Sequence, residues 1–474
     1  TLTINSVIAD NNSATALTKA GPGSLVLGGT ANTFTGDIFV LGGSLTATTV
    51  GTGSTTGGLN ARAGQTINLA GGATLVLRSD ADNTGTVQNV VYGSNLSLSG
   101  AGAAVLNIDR TGTLALNNAL NKTLQFGSLS IGSQTFQIVP ATATNGFGLE
   151  FTGPTVLSGL PVFNVASNQG TASNLVQGLV LSGVVSGSLL GAGTNTGLSK
   201  TGTGSMLLAN GSNSFVGNIS VAGGVLGFNA DGALGNSSNQ LFLTGGTLRA
   251  YGGNAITTSR VLNLLGTGTI EVTANTTLQL NTAFVTQNGF TKADNGTLVL
   301  NADNGMWRGA VTVNAGALRV ANSNALGSTE GTVTVANNVG AALQLAGVNI
   351  SDSLSLSNTG INSAGALQAV SGNNAVSGLV TLANAATIGA DTGASLTLSG
   401  GLAGAVALTL AGAGTINLTG GTLNAALPSG IIKIGTGVLN VQSASTGYTG
   451  TATLNAGTTT FSGVGGFGGT GLVT

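Results

Sequence analysis

Apolar residues alternate with polar or small ones in short runs along the chain. Leu25 and Leu27, Ile38 and Val40, Leu298 and Leu300, and Val311 and Val313 are each two residues apart. That period places both members of a pair on one side of a pleated strand. Gly, Asn and Ser clusters separate the runs and predict turns at short intervals, with Asn145-Gly146, Asn210-Gly211 and Asn304-Gly305 among them. Helical periodicity is sustained nowhere. The pattern predicts an all-β chain of many short strands.

The runs are not independent of one another. Counted from Lys19, Lys200, Lys292 and Lys433, the fourth residue on is Gly23, Gly204, Gly296 or Gly437. The sixth is Leu25, Met206, Leu298 or Leu439, and the fifteenth is Phe34, Phe215, Trp307 or Tyr448. Gly36, Gly217, Gly309 and Gly450 follow two residues later. Four ungapped copies, near 17–45, 198–226, 290–318 and 431–459, form an internal repeat. The lysines are 181, 92 and 141 residues apart by subtraction, close to eight, four and six times about 23. A solenoid gives such intervals. The expectation is one continuous β-solenoid over 1–474, with about 20 coils of roughly 23 residues.

The residues of the first copy, Lys19, Gly23, Leu25, Leu27, Asn32, Thr33, Phe34 and Gly36, resemble the autotransporter-associated β-strand repeat, also called the passenger-associated transport repeat. The second copy keeps Asn213, Phe215 and Gly217; the third has Asp294 where the first glycine stands and carries Trp307; the fourth lacks the Asn. The resemblance covers about a quarter of the chain. It implies a right-handed parallel β-helix, secreted and displayed at a bacterial surface. The stretch up to Thr474 shows no aromatic girdles, so the family's outer-membrane barrel is not expected within it, and its start at Thr1 reads as processed or excised.

Composition narrows the function. The chain has no Cys and no His, which removes the common zinc and haem ligands and hydrolases with a histidine base. Charged residues are 5% and net charge is −1, so no nucleic-acid or anionic-membrane footprint exists. No apolar run is long enough for a transmembrane helix. No cofactor is expected. Carboxylate pairs for glycoside hydrolysis are few: Asp80 with Asp82, and Asp294 with Asp303, each read as a solvated turn. The motif lysine reads as a guard outside its strand that keeps a neutral wall from sticking. The aromatic at the fifteenth position reads as a core plug.

These readings favour a non-catalytic extracellular structural protein. Its expected partners are copies of itself and a surface polysaccharide or host surface. Near-absence of charge and an alternating strand at the start suggest head-to-tail assembly into a fibre or sheath. Candidate assembly residues are Thr1, Leu2, Thr3, Ile4, Val7 and Ile8 at one end and Phe461, Phe467 and Leu472 at the other. A monomeric passenger domain of an autotransporter-like adhesin is the alternative, and a carbohydrate-active enzyme is the third.

Overall fold

The structure is a computed structural model. It describes residues 1–29, 32–49, 57–81, 84–111, 119–168, 176–188, 197–419, 430–442, 448 and 450–462. Every strand pairing among them for which a register is defined is parallel. In strand Ala73–Ser79, Ala73, Leu75 and Leu77 are buried, while Thr74, Val76 and Arg78 between them are half-buried. Stacking such strands in register makes continuous apolar columns. Leu25, Leu45, Leu75, Leu106 and Ile138 form one column. All five are at most 7% exposed. Full burial of each such side chain contributes roughly 1.5–3 kcal/mol. The chain is a parallel β-helix. The residues paired at two-residue spacing in the sequence, Leu25, Leu27, Ile38, Val40, Leu298, Leu300, Val311 and Val313, all face inward and are buried.

The chain divides into two compact units, Thr1–Leu248 and Arg249–Thr474. In the first, the early coils carry two strands each: Leu17–Lys19 with Ser24–Leu27, then Ile38–Val40 with Gly43–Thr49. A third wall opens at Gln88–Val91 and continues through Lys122–Phe126, Gly148–Phe151 and Leu179–Leu181. The wall that began with Leu17–Lys19 ends, among the described residues, at Val185–Ser188. Two walls then carry on, with Gly197–Thr201 followed by Ser205–Leu208. Coil length varies along this unit. Leu25 and Leu45 are 20 residues apart in register, whereas Leu75 and Leu106 are 31 apart. A uniform coil of 23 residues is therefore an average over coils of unequal length.

The second unit repeats this plan. One wall contains Gly268–Val272, Phe290–Ala293, Val311–Val313 and Thr332–Val335. A second contains Thr277–Leu280, Thr297–Leu300, Gly316–Val320 and Ala341–Ala346. A third opens at Asn349–Ile350 and runs through Asn373–Val376, Ser395–Leu398, Thr415–Leu418, Val438–Val441 and Thr458–Phe461. Strand Val380–Ala390 bends across a corner. Its residues Val380–Leu382 pair on the first wall with Leu354, Ser355 and Leu356, and Ile388–Ala390 pair on the second with Leu367, Gln368 and Ala369.

Each unit thus holds two motif copies placed on different walls. Leu25 and Lys200 belong to the same ladder, as do Leu298 and Lys433. The wall that carries the second strand of one copy carries the first strand of the next. The sequence repeat does not show this advance, because the linear motif is unchanged by it.

Candidate functional site

The recurring feature is the corner at the motif lysine. The sequence reading put this side chain outside the wall; the structure turns it inward. Lys19, Lys200, Lys292 and Lys433 are 7%, 0%, 0% and 2% exposed. Each occupies a core position in its column: Lys19 stacks on Val40, Lys292 lies between Ile270 and Val313, and Lys433 between Leu410 and Leu454. The physical reason is the length of the side chain. Its methylene stem fills an aliphatic position while the ammonium reaches past the end of the strand to polar groups.

Those groups are main-chain carbonyls from two coils. Lys19 Nζ donates to the oxygens of Ala20, Gly21 and Gly42 at 2.9, 2.8 and 2.8 Å. Lys200 Nζ donates to Thr201, Gly202 and Gly223 at 2.7, 3.1 and 3.1 Å. Lys292 Nζ donates to Ala293, Asp294 and Ala315 at 2.8, 2.6 and 3.0 Å. Lys433 Nζ reaches Gly435 at 2.7 Å and Ala456 at 3.3 Å. At Lys19, Lys200 and Lys292 three acceptors match the three protons of an ammonium, so a buried charge keeps its hydrogen bonds. One acceptor in each set lies 23 residues on, in the following coil. The lysine therefore ties two coils together.

The glycines of the motif shape this corner. The residue two after the lysine has φ of +72°, +73°, +61° and +91° at Gly21, Gly202, Asp294 and Gly435. The left-handed turn there aims carbonyls at the ammonium, and Asp is among the few non-glycine residues that tolerate it. The residue twenty-four after the lysine also has positive φ and lies against those carbonyls. A Cβ on Gly224 would stand 2.3 Å from Gly204 O and 2.9 Å from Lys200 Nζ; one on Gly316 would stand 2.4 Å from Asp294 O. Only glycine fits between the coils.

Burial pushes Lys200 and Lys292 down to about 8. Asp294 and Glu271 act in the opposite sense on Lys292, less strongly than burial. Burial also lowers Lys433. The carbonyls facing each ammonium favour its charged form against this desolvation.

The motif aromatic is the expected plug. Phe34, Phe215, Trp307 and Tyr448 are at most 1% exposed. Trp307 packs on Phe284 and Phe290, with ring centroids 4.9 and 5.9 Å away, and its Nε1 donates to Asn288 O at 3.1 Å.

Sequence reasoning placed the asparagine that precedes the aromatic in the motif but gave it no role. Asn213 Oδ1 accepts from Val185 N at 2.7 Å, and its Nδ2 donates to Ala233 O at 2.7 Å. Asn304 repeats this with Phe284 N at 2.8 Å and Ala325 O at 2.7 Å. Asn32 does so with Ile8 N and Gly58 O. Each amide spans a coil before and a coil after its own. The signal was the recurrence of Asn two or three residues before the aromatic in three copies, beyond its general preference for turns.

The carboxylates considered for catalysis serve turns. Asp80 accepts from Thr111 N and Thr111 Oγ1, and Asp303 from Gly305 N and Asn324 Nδ2. The Asn324 amide, then Gly305 N–H, holds Asp303 below the usual carboxylate range. Asp294 accepts from Asn295 N. Asp82 lies outside the described residues. Among the described residues no cluster of acids could hold a metal ion, and no helix is long and apolar enough to cross a membrane.

Of the candidate assembly residues, Leu2, Thr3 and Ile4 pair in register with Leu25, Val26 and Leu27. Thr1, Leu2, Thr3 and Val7 are exposed, Ile4 and Ile8 half-buried, and Ile8 N donates to Asn32 Oδ1. Phe461 is 44% exposed and pairs with Val441. Phe467 and Leu472 lie outside the described residues.

Residues 17–47, 198–227 and 290–320 match the family described as Passenger-associated-transport-repeat. These segments contain the corners at Lys19, Lys200 and Lys292; the corner at Lys433, with two of the three carbonyl bonds, lies outside the matched segments. The chain is 28% identical, over 96% of its own length, to an adhesin, the BmaC autotransporter of Brucella suis biovar 1 (strain 1330). It spans 16% of that relative's length. No solved structure matches the chain significantly.

Proposed function

We propose that this chain is a stretch of the displayed passenger of an autotransporter adhesin, a non-catalytic β-helical scaffold at the bacterial surface. The observation that carries this reading is the corner in which a buried lysine and a left-handed glycine tie successive coils, present at all four motif copies. Three of those copies are passenger-associated transport repeats. With its lysines held inside the coils, the chain presents a sparsely charged exterior on which carboxylates outnumber cations. That suits a scaffold presented to a polysaccharide or host surface, the partner class we assign to it.

The passenger reading takes precedence over the head-to-tail fibre. A chain that spans 16% of its relative gives its terminal strands no standing as polymer ends. The test is a fusion of residues 1–474 to an outer-membrane translocator barrel. Surface exposure detected on intact cells, with adherence to a glycan or host-cell layer above that of barrel alone, is the expected result. A fusion that reaches the surface folded yet adds no adherence contradicts the adhesive role.

A further inference from the structure

All five lysines of this chain are buried. Lys19, Lys122, Lys200, Lys292 and Lys433 are at most 7% exposed. Of the seven arginines, Arg110, Arg249 and Arg260 are also buried. Arg78 and Arg319 sit inside strands paired on both edges, where the main chain is not available to extend into a protease cleft. Arg62 lies in a turn whose main chain is pinned: its N–H donates to Ser94 Oγ, and its carbonyl accepts from Gln65 N and Ser94 Oγ. The residues outside the described set contain no Lys or Arg at all.

Arg308 is the exception. Its side chain is 58% exposed, in a stretch without strand between Leu300 and Val311. Among the described backbone hydrogen bonds none involves Arg308. Its Nη1 meets Glu330 Oε2 at 2.8 Å, but that carboxylate is itself 60% exposed, and such a pair holds weakly. Neighbouring Met306 is 84% exposed. Several anchors oppose opening of the segment: Trp307, with no exposed surface and its carbonyl accepting from Ser328 N; Met306 O, which accepts from Gln287 Nε2; and Asn304, whose amide bonds to both adjacent coils.

We propose that Arg308–Gly309 is the single bond at which a serine protease specific for Arg and Lys cleaves the folded chain. Water adds across that amide, leaving a carboxylate on Arg308 and an amine on Gly309. Cleavage passes through local opening of the 301–310 segment, so its rate follows the population of the open form. The strands on either side stay in their ladders through inter-coil hydrogen bonds, Thr297–Leu300 with Gly316–Val320 and Phe290–Ala293 with Val311–Val313. The nick therefore does not release the coils it separates in sequence.

The experiment is digestion of the folded chain with trypsin, followed by intact-mass analysis. Two fragments, 1–308 and 309–474, should accumulate and persist, while the heat-denatured chain is cut at most of its twelve basic residues. Arg308→Gln, a change at an exposed side chain, should slow native cleavage at least tenfold. Trp307→Phe, which keeps an aromatic plug but loses the Nε1 donor, should accelerate it several-fold. Early cleavage at Arg62, Arg78, Arg319 or any lysine overturns the proposal. So does a folded chain that stays intact while its denatured form is fully digested, or an Arg308→Gln variant digested at the wild-type rate.

Discussion

Leu298 and Lys433 occupy the same inward column of one ladder. Register partners connect them through Leu318, Leu343, Leu367, Ile388 and Leu410. A position that buries a leucine in one motif copy buries a lysine stem in the next. The core accepts that lysine because carbonyls wait at the corner beside it. The motif is therefore a way of closing a corner, and it serves whichever wall it is placed on.

Removing the ammonium should leave those carbonyls without their donor. Lys292→Met keeps most of the apolar stem and should destabilise the second unit by about 1–3 kcal/mol. Chemical denaturation, read as a shift in midpoint at unchanged slope, measures this. No shift would mean that the carbonyls find other partners.

The glycine over the corner should be equally intolerant. Gly316→Ala would hold alanine at φ +65° with its Cβ 2.4 Å from Asp294 O. A loss of more than about 1 kcal/mol is expected, measured in the same way. Gly253→Ala serves as a comparison, since it has φ +76° but nothing within 4 Å of the added Cβ. Strain without a clash should cost less there.

Alkaline pH should stabilise the fold. Lys200 and Lys292 lie at about 8 when folded, against an ordinary value of 10.5. Between those values the unfolded chain binds more protons, so stability rises as pH increases from 8 towards 10.5 and is flat below 8. Tyr251, which burial pushes up to about 12 from 10.0, opposes this gain only as pH approaches 10 and above, where the unfolded tyrosine ionises. The denaturation midpoint should be higher at pH 9.5 than at pH 7.5. That gain should be absent in the Lys200→Met, Lys292→Met double variant.

Asp352 should act in the acid range. It is 2% exposed, and burial pushes its carboxyl up to about 6 from 3.8. With the folded value raised, its contribution to stability is present at low pH and is lost as pH rises through 6. Asp352→Asn should be more stable than the parent at pH 7.5 and lose that advantage at pH 4. Equal differences at both values would exclude a titrating Asp352.

Much of the fold is legible in the residue pattern alone. The two-residue period marks the strands, the register of the lysines marks the repeat, and recurrence of Phe34, Phe215, Trp307 and Tyr448 at one position marks the plug. The direction of the lysine is not legible there. Sequence shows charge, and charge suggests solvent; only the column of Ile270, Lys292 and Val313 shows that the stem belongs in the core. The advance by one wall is hidden for a different reason: three-walled coils between the copies carry no motif. The asparagine bridges escape notice because their partners, such as Val185 and Ala233 for Asn213, lie 28 and 20 residues away.

Inward lysines tied to carbonyls are the centre of this account, and amine acylation tests them most directly. The folded chain is treated with excess acetylating reagent at pH 8.5, quenched, denatured and mapped by mass spectrometry. The account predicts that Lys19, Lys200, Lys292 and Lys433 remain unmodified while the same lysines in the denatured chain react fully. Acetylation of these four lysines in the folded chain at the denatured rate would contradict it.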